Sequence, residues 1–464
     1  MRTLNRALPD ERRLRAGSEL LLWLFAGAAL LAMPGRLPLS PGERSWRELA
    51  ARMVEGHDLL SGCGGHYALL NTWLAALPGV LGGGSEIPLW LLRLPSILMA
   101  GLLLYATMAS ARRLWNEQTA LTCGWLLAGS VGFLWFGRLA IPAVASAASV
   151  MLAFSVACRE PARRGFWNYC GFYLLFFAGA WCGGLPTQLT VVAMMAPLLM
   201  NGSRWRRECR WPHLAGALVG AVVYGVPFAL PAVLTAEGGF GLRLTAGLRA
   251  VGGVLQAQFQ RGDWFMLYRE VPLAILVSVA LPYFPLIAVT ALAVVRNRAT
   301  EPATRRFALG TLMAVLWLLV GPAAEFGLLL LLPLLIVLTA AVLQEQDERE
   351  GRWLSGYAAA AAALAAGSLL PIWLALSALD IRLSWSTLAA LPLCGAAAVA
   401  LLLVDEQHPD LIGRGSLLPA RLAAPLLALA CLSAGMVCWA LPEWARQQIA
   451  APDEPQIQRT EWRR

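Results

Sequence analysis

The sequence predicts an all-α polytopic membrane protein, and three of its features support that prediction. Of its 464 residues, 58% are hydrophobic and only 14% are charged. Apolar runs of roughly twenty residues recur along the chain, which is the length a helix needs to cross about 30 Å of hydrocarbon. The runs do not alternate between apolar and polar residues, so helices rather than barrel strands are expected to satisfy the backbone in lipid.

The arginine distribution predicts how these spans are oriented. The first apolar run, residues 18–33, follows a basic segment and shows no small-residue cleavage site, which is typical of a retained anchor. With the N-terminus in the cytoplasm, the arginine-rich loops all fall on the cytoplasmic side, as the positive-inside rule requires. The prediction is about thirteen spans in one domain, residues 1–464, with a short external tail at 442–464. They include spans at about 89–109, 119–136, 142–158, 166–183, 185–200, 214–234, 355–378 and 386–404, with a tight turn at 183–186.

The segment from residue 38 to residue 88 is the external platform around which the chain is organised. It is too long for a simple connection and contains two helical patterns. The first opens at Glu43 and is amphipathic, and the second runs from about Tyr67 to Leu81. We expect both to lie in the membrane interface. If the second crossed the membrane instead, the arginine clusters that follow it would move outside. A second long external segment is predicted at 235–269.

Charge and cysteine usage limit the classes of function. The net charge is +9 and the chain has no lysine, so arginine supplies every strongly basic side chain. These arginines sit at span ends, which indicates topology rather than nucleic-acid binding. Of nine cysteines, only Cys63 falls in a predicted external segment. A disulfide across the external face within one chain is therefore not expected.

A series of motifs resembles one family of membrane enzymes. In order, the motifs are GERSWRELAARMVEGHDLL (42–60), SEIPLWLLRLPS (85–96), GRLAIPAVASAAS (137–149) and LLLLLPLLIVL (328–338). The series resembles the GT-C membrane glycosyltransferases of the aminoarabinose transferase and protein O-mannosyltransferase group, over most of the chain up to Leu343. The resemblance implies a GT-C bundle. It also implies transfer of a sugar from a polyprenyl-phosphate donor to a lipid, protein or glycan on the external side.

The chain departs from the family pattern at several positions. Where the family opens its first interfacial helix with Asp-Glu, this chain has Gly42-Glu43. The second family aspartate corresponds to Pro142. Tyr67 stands in place of a lysine that contacts the donor phosphate, and Gly184 stands near another family lysine.

The candidate site residues follow from this resemblance and from the chemistry of glycosyl transfer. Glu43 is the candidate catalytic acid or base; the alternative is an ordinary carboxylate favoured by the dipole at a helix N-terminus. Arginine forks match phosphate oxygens, but the same arginines would also anchor span ends against headgroups. A carboxylate close to the membrane is often functional, although it would also reach water in a loop. The candidate substrate-binding residues are Tyr67, Arg138, Arg243, Arg249 and Glu325.

A metal site or a cofactor is not expected. His57, Asp58, Cys63 and His66 lie near one another in the platform. Their spacing fits no tight metal-binding template, and the lipid-linked sugar donor would be a substrate rather than a cofactor.

Two functions remain open from the sequence. The first is a glycosyltransferase of the bacterial cytoplasmic membrane that works with an isoprenoid carrier. The second is a catalytically degenerate relative, kept as a lipid-binding or structural subunit with protein partners in a membrane complex. Loss of several family groups at once motivates this alternative. A transporter is disfavoured because the spans carry almost no mid-membrane charge and show no inverted repeat.

Overall fold

The computed structural model describes residues 9–32, 41–55, 69–82, 87–159, 166–199, 211–260, 280, 282–296, 301–320, 327–345, 420–435 and 437. Within these ranges the chain forms helices and turns and contains no strand. The predicted all-α class is therefore confirmed for the part of the chain that the structure describes.

The described ranges contain sixteen helices. They are α1 Pro9–Leu31, α2 Pro41–Glu55, α3 Leu69–Gly82, α4 Leu89–Leu114, α5 Glu117–Ala128, α6 Val131–Phe136, α7 Pro142–Ala157, α8 Phe166–Gly183, α9 Leu185–Gln188, α10 Thr190–Leu199, α11 Trp211–Thr235, α12 Phe240–Gln260, α13 Phe284–Val295, α14 Pro302–Val320, α15 Gly327–Glu345 and α16 Ala420–Gly435.

Among the described residues, two helices are long and apolar enough on their own to cross a membrane. These are α4, with 26 residues, and α11, with 25. Shorter apolar stretches occur in α1, α7, α13, α15 and α16 and across α9 and α10. The count of about thirteen spans stays a prediction, because the spans expected at 355–378 and 386–404 lie outside the described residues.

Side-chain contacts show how neighbouring helices run relative to each other. A Cβ on Gly216 of α11 would lie 2.8 Å from the Tyr173 ring of α8. Farther along both helices, Trp181 Nε1 donates to the Tyr224 carbonyl at 3.2 Å. The residue numbers at these contacts increase along both helices, so α8 and α11 run parallel. This is expected for two helices separated by one span that runs in the opposite direction.

One predicted span is broken into two helices. A single span was expected over 119–136, but α5 ends at Ala128 and α6 begins at Val131. A Cβ on Gly129 would lie 2.9 Å from the Ala430 Cβ, so only glycine fits where α16 crosses. Ser130 then caps α6 by accepting from the Phe133 N–H at 3.4 Å. The break thus lies where α16 crosses closely, and apolar periodicity does not reveal it.

The turn between α8 and α9 was predicted at residues 183–186 and is confirmed there. Gly184 has φ +81°, a left-handed conformation that glycine adopts without a Cβ penalty. Pro186 follows at the start of α9, where its missing N–H costs no helical hydrogen bond.

Buried side chains form two apolar clusters. The larger one runs through the bundle and joins α1, α4, α5, α7, α13, α15 and α16 around Trp125, Phe133 and Phe154. The smaller one lies at the bundle end that carries α2 and α3, here called the platform end. It joins Ala50 and Met53 of α2 to Ala76 of α3 and Tyr224 of α11. The platform is thus packed onto the helix ends beneath it.

Candidate functional site

The two platform helices lie together at one end of the bundle. The described part of helix α3 covers 14 residues, Leu69–Gly82. Trp73 of α3 meets Trp181 of α8 edge to face, with ring centroids 5.9 Å apart. Trp181 lies near the end of α8, so α3 contacts the end of that helix. The interfacial position of α3 stays a prediction.

Glu43 is buried at the centre of the platform end. Its side chain is 0% exposed, as is that of Arg93. Arg93 Nε donates to Glu43 Oε1 at 2.7 Å, and Arg93 Nη2 donates to Oε2 at 2.8 Å. The Ala140 backbone N–H also donates to Oε1, at 2.8 Å. Both carboxylate oxygens are therefore engaged within the protein.

Three elements meet at this pair. Glu43 lies in the first turn of α2, Arg93 in the second turn of α4, and Ala140 in the turn between α6 and α7. A guanidinium that binds a carboxylate through two parallel N–H bonds fixes orientation as well as charge. These hydrogen bonds to Glu43 therefore hold helix α2 against α4 and against the α6–α7 turn.

Arg138 lies in the same turn as Ala140, and its side chain is 0% exposed. Its Nη1 donates to the Val437 carbonyl at 3.1 Å, and its Nη2 donates to the Ala32 carbonyl just past the end of α1. In this arrangement the guanidinium ties two chain segments together through backbone carbonyls. Its predicted contact with a donor phosphate remains untested.

Arg243 and Arg249 are both exposed on α12. Arg243 Nε donates to the Gly238 carbonyl at 3.1 Å, a local contact at the start of the helix. The structure therefore does not bring them into the buried group formed by Glu43, Arg93 and the α6–α7 turn.

The other sequence-predicted positions lie outside the described residues. These are Tyr67, Glu325 and the possible metal ligands His57, Asp58, Cys63 and His66. Within the described ranges, no three His, Cys, Asp or Glu side chains are grouped so that they could hold a metal ion.

A second set of polar contacts holds the turn between α8 and α9. Gln258 of α12 accepts the Leu185 N–H at 3.1 Å, and its Nε2 lies 3.0 Å from the Tyr224 hydroxyl. Trp317 Nε1 of α14 donates to the Pro186 carbonyl at 2.8 Å. The segment predicted as an external loop at 235–269 thus contains a long helix, and that helix is bonded to the turn.

Beneath this turn lies a small buried polar group between α7 and α9. Gln188 Nε2 donates to Ser149 Oγ at 2.5 Å. Ser146 Oγ and Gln188 Oε1 are buried without a hydrogen-bond partner among the described residues. Buried polar atoms are usually paired, so these two atoms mark a polar spot between α7 and α9.

Sequence reasoning did not assign roles to Arg93, Gln258 or Tyr224. For Arg93 a signal existed, because it stands five residues into a predicted span. An arginine inside a span is costly and normally has a partner, and Glu43 was among the few acids predicted on that side. Gln258 had no such signal, since a glutamine in a long external segment is common.

Comparison with known proteins agrees with this architecture. No family model matches the sequence, and no curated protein matches it. The structure is similar to that of ArnT from Cupriavidus metallidurans bound to undecaprenyl phosphate, with a TM-score of 0.65, 16% identity, and coverage of 93% of this chain and 79% of that one. The apo state of the same protein gives a TM-score of 0.60 at 15% identity, covering 92% and 78%.

These findings define the class of protein by its fold. The chain shares its all-helical fold with ArnT. Among solved structures it is similar to the aminoarabinose transferase ArnT over nearly its whole length.

Proposed function

We propose that this chain is a GT-C membrane glycosyltransferase that takes a sugar from a polyprenyl-phosphate donor and passes it to an acceptor at the platform end. The observation that carries the proposal is the set of buried hydrogen bonds made by the Glu43 carboxylate. The family acid of the first interfacial helix is held by Arg93 and by the Ala140 N–H, inside a fold shared with ArnT. ArnT itself has been seen bound to undecaprenyl phosphate.

The proposed topology follows the arginine distribution. The N-terminus is cytoplasmic, the platform end is periplasmic, and the protein lies in a bacterial cytoplasmic membrane. On this side a lipid-linked donor and a periplasmic acceptor would meet.

The geometry assigns Glu43 a positioning role at the least. An ionised carboxylate with three protein donors is held in one orientation, which favours precise placement of the α6–α7 turn. The Glu43 side chain is 0% exposed, so it could accept a proton from an acceptor hydroxyl only after the surrounding residues move to admit the substrate.

The test is transfer activity of Glu43→Gln, assayed with radiolabelled polyprenyl-phosphate sugars on purified, folded protein. A catalytic role predicts a loss of about 10²- to 10⁴-fold in rate. Glutamine keeps an oxygen acceptor for Arg93, and size-exclusion chromatography and thermal unfolding check that the variant is folded. Unchanged activity in folded Glu43→Gln would remove Glu43 from the mechanism.

A second function is favoured by a specific observation. Glu43 and Arg138, two candidate site residues, both make buried contacts within the chain, and the family lysines have no counterpart. A degenerate relative that serves as a lipid-binding or structural subunit would have these properties. Purification from native membranes separates the two functions. Stoichiometric protein partners and no isoprenoid bound to the chain would favour the subunit, whereas a bound polyprenyl phosphate and measurable transfer would favour the enzyme.

A further inference from the structure

Helix α12 folds back along α11 and forms a hairpin with it. A Cβ on Gly247 would lie 2.7 Å from Val233 Cγ2, and Val251 lies 3.5 Å from the Cβ position of Gly225. As the chain advances along α12 it meets earlier residues of α11, so the two helices are antiparallel. This hairpin extends from the platform end of the bundle.

The hairpin reaches beyond the neighbouring helix α8. Trp181 near the end of α8 is level with Tyr224 of α11, because the two are hydrogen-bonded. Helix α11 continues from there to Thr235, a further rise of about 16 Å at 1.5 Å per residue. The upper part of the hairpin therefore stands well above the α8–α9 turn.

This projecting part carries large apolar side chains on its surface. Leu234 of α11 is 68% exposed, and Phe240, Leu242 and Leu248 of α12 are 83%, 66% and 65% exposed. They continue a row of exposed apolar residues along the whole of α11, which comprises Leu214, Leu218, Val222, Val226 and Leu230. In a membrane span such a row faces lipid, so the apolar surface of the hairpin continues a lipid-facing surface.

The charges on α12 fit a phospholipid surface. Arg243 and Arg249 are exposed, and the helix sequence FGLRLTAGLRAVGGVLQAQFQ contains no acidic residue. Helix α12 runs antiparallel to the span α11, and long arginine side chains next to exposed apolar residues extend toward the headgroup phosphates. Anionic headgroups supply the opposite charge.

We infer that the α11–α12 hairpin is embedded in the outer leaflet, where bilayer phospholipid covers Phe240, Leu242 and Leu248 and headgroup phosphates bind Arg243 and Arg249. This inference does not depend on the proposed transfer reaction, because it concerns bulk lipid and not the donor.

The first experiment replaces Leu248 with the photoreactive residue p-benzoylphenylalanine in the full-length protein, irradiated in native membranes. Mass spectrometry is expected to find phospholipid adducts at this position. The control is the same replacement at Val251, which packs against α11 and should give intramolecular products. Adducts with another protein, adducts with an isoprenoid phosphate alone, or irradiation without any lipid adduct would each overturn the inference.

The second experiment tests the arginines by thermal unfolding in nanodiscs of zwitterionic lipid with and without anionic phospholipid. Anionic lipid is expected to raise the unfolding temperature of the wild type, and the double variant Arg243→Gln/Arg249→Gln should lose more than half of that rise. Arg44→Gln, at an exposed arginine of α2, is the comparison and should lose less of the rise than the double variant. An equal rise in the double variant and the wild type would overturn headgroup binding by these arginines.

Discussion

Arg93 holds Glu43 through two parallel hydrogen bonds of 2.7 and 2.8 Å, and both side chains are fully buried. The two residues are 50 positions apart, so the pair joins the first platform helix to the first long span. A buried pair of this kind tolerates joint replacement far better than loss of one member, because a single loss leaves an uncompensated charge in the interior.

Replacing Arg93 alone should destabilise the protein strongly. Arg93→Met leaves the Glu43 carboxylate buried without its cationic partner, and the expected cost is about 3–5 kcal/mol of folding free energy. Unfolding in detergent, followed by circular dichroism, measures the change. Arg44→Met, at an exposed arginine of the same platform, is the control and should shift stability by less than about 0.5 kcal/mol. Equal stability of Arg93→Met and the wild type would contradict the buried pair.

Replacing both members should restore folding but not activity. The double variant Glu43→Met/Arg93→Met removes both charges, and apolar replacement of a buried pair is often neutral. The Ala140 N–H loses its acceptor, at a cost of about 1–3 kcal/mol. The double variant should therefore be more stable than Arg93→Met. The stability and the transfer rate of the double variant are measured on the same preparation. A fully active double variant would show that the pair has only a structural role.

Arg138→Leu should weaken the bundle around α1 and the residues after α16. The substitution removes two charge-assisted hydrogen bonds to the carbonyls of Ala32 and Val437, each of which contributes about 1.5–3 kcal/mol. We expect a lower unfolding temperature, with the affinity of the remaining folded protein for polyprenyl phosphate unchanged. Isothermal calorimetry with the lipid phosphate measures that affinity. Lost affinity at unchanged stability would instead identify Arg138 as a phosphate ligand.

Gln258→Leu should loosen the turn between α8 and α9. The Leu185 N–H loses its acceptor and the Tyr224 hydroxyl loses a partner, so amide exchange at residues 184–188 should speed up. Hydrogen–deuterium exchange with mass spectrometry reports this directly. The control is Gln256→Leu, which changes an exposed glutamine two residues earlier on α12. It should leave amide exchange at the α8–α9 turn as in the wild type. Identical exchange in both variants would show that the turn is held without Gln258.

Much of the fold could be predicted because lipid imposes simple rules on sequence. Apolar runs and arginine positions predicted the all-α class and the places of α4, α7, α8 and α11, whose observed bounds differ by a few residues from those expected. The Gly184 turn was predictable because glycine followed by proline interrupts an apolar run. The α5–α6 break was not, since it depends on how closely α16 approaches Gly129.

The candidate site was predicted only in part. Glu43 was found through its place in the motif series, but its burial and its partner depend on a contact between distant segments. Arg243 and Arg249 were grouped with it as possible phosphate ligands, and the structure shows both of them exposed on α12, a helix that was predicted as an external loop. The four glycines of α12 lower its helix propensity, so its packing on α11 could not be anticipated.

The amino-acid sequence by itself predicted that the protein lies in a membrane, that residues 38–88 form a platform, and which reactive side chains the platform carries. The length of an apolar run and the positions of charged residues are properties of local sequence. They decide which segments cross a bilayer and in which orientation. Only the tertiary structure decided that the carboxylate of Glu43 is enclosed by Arg93 and Ala140, and that Gln258 reaches the α8–α9 turn. Those contacts depend on the angle and depth at which helices pack, which no single segment of the chain encodes.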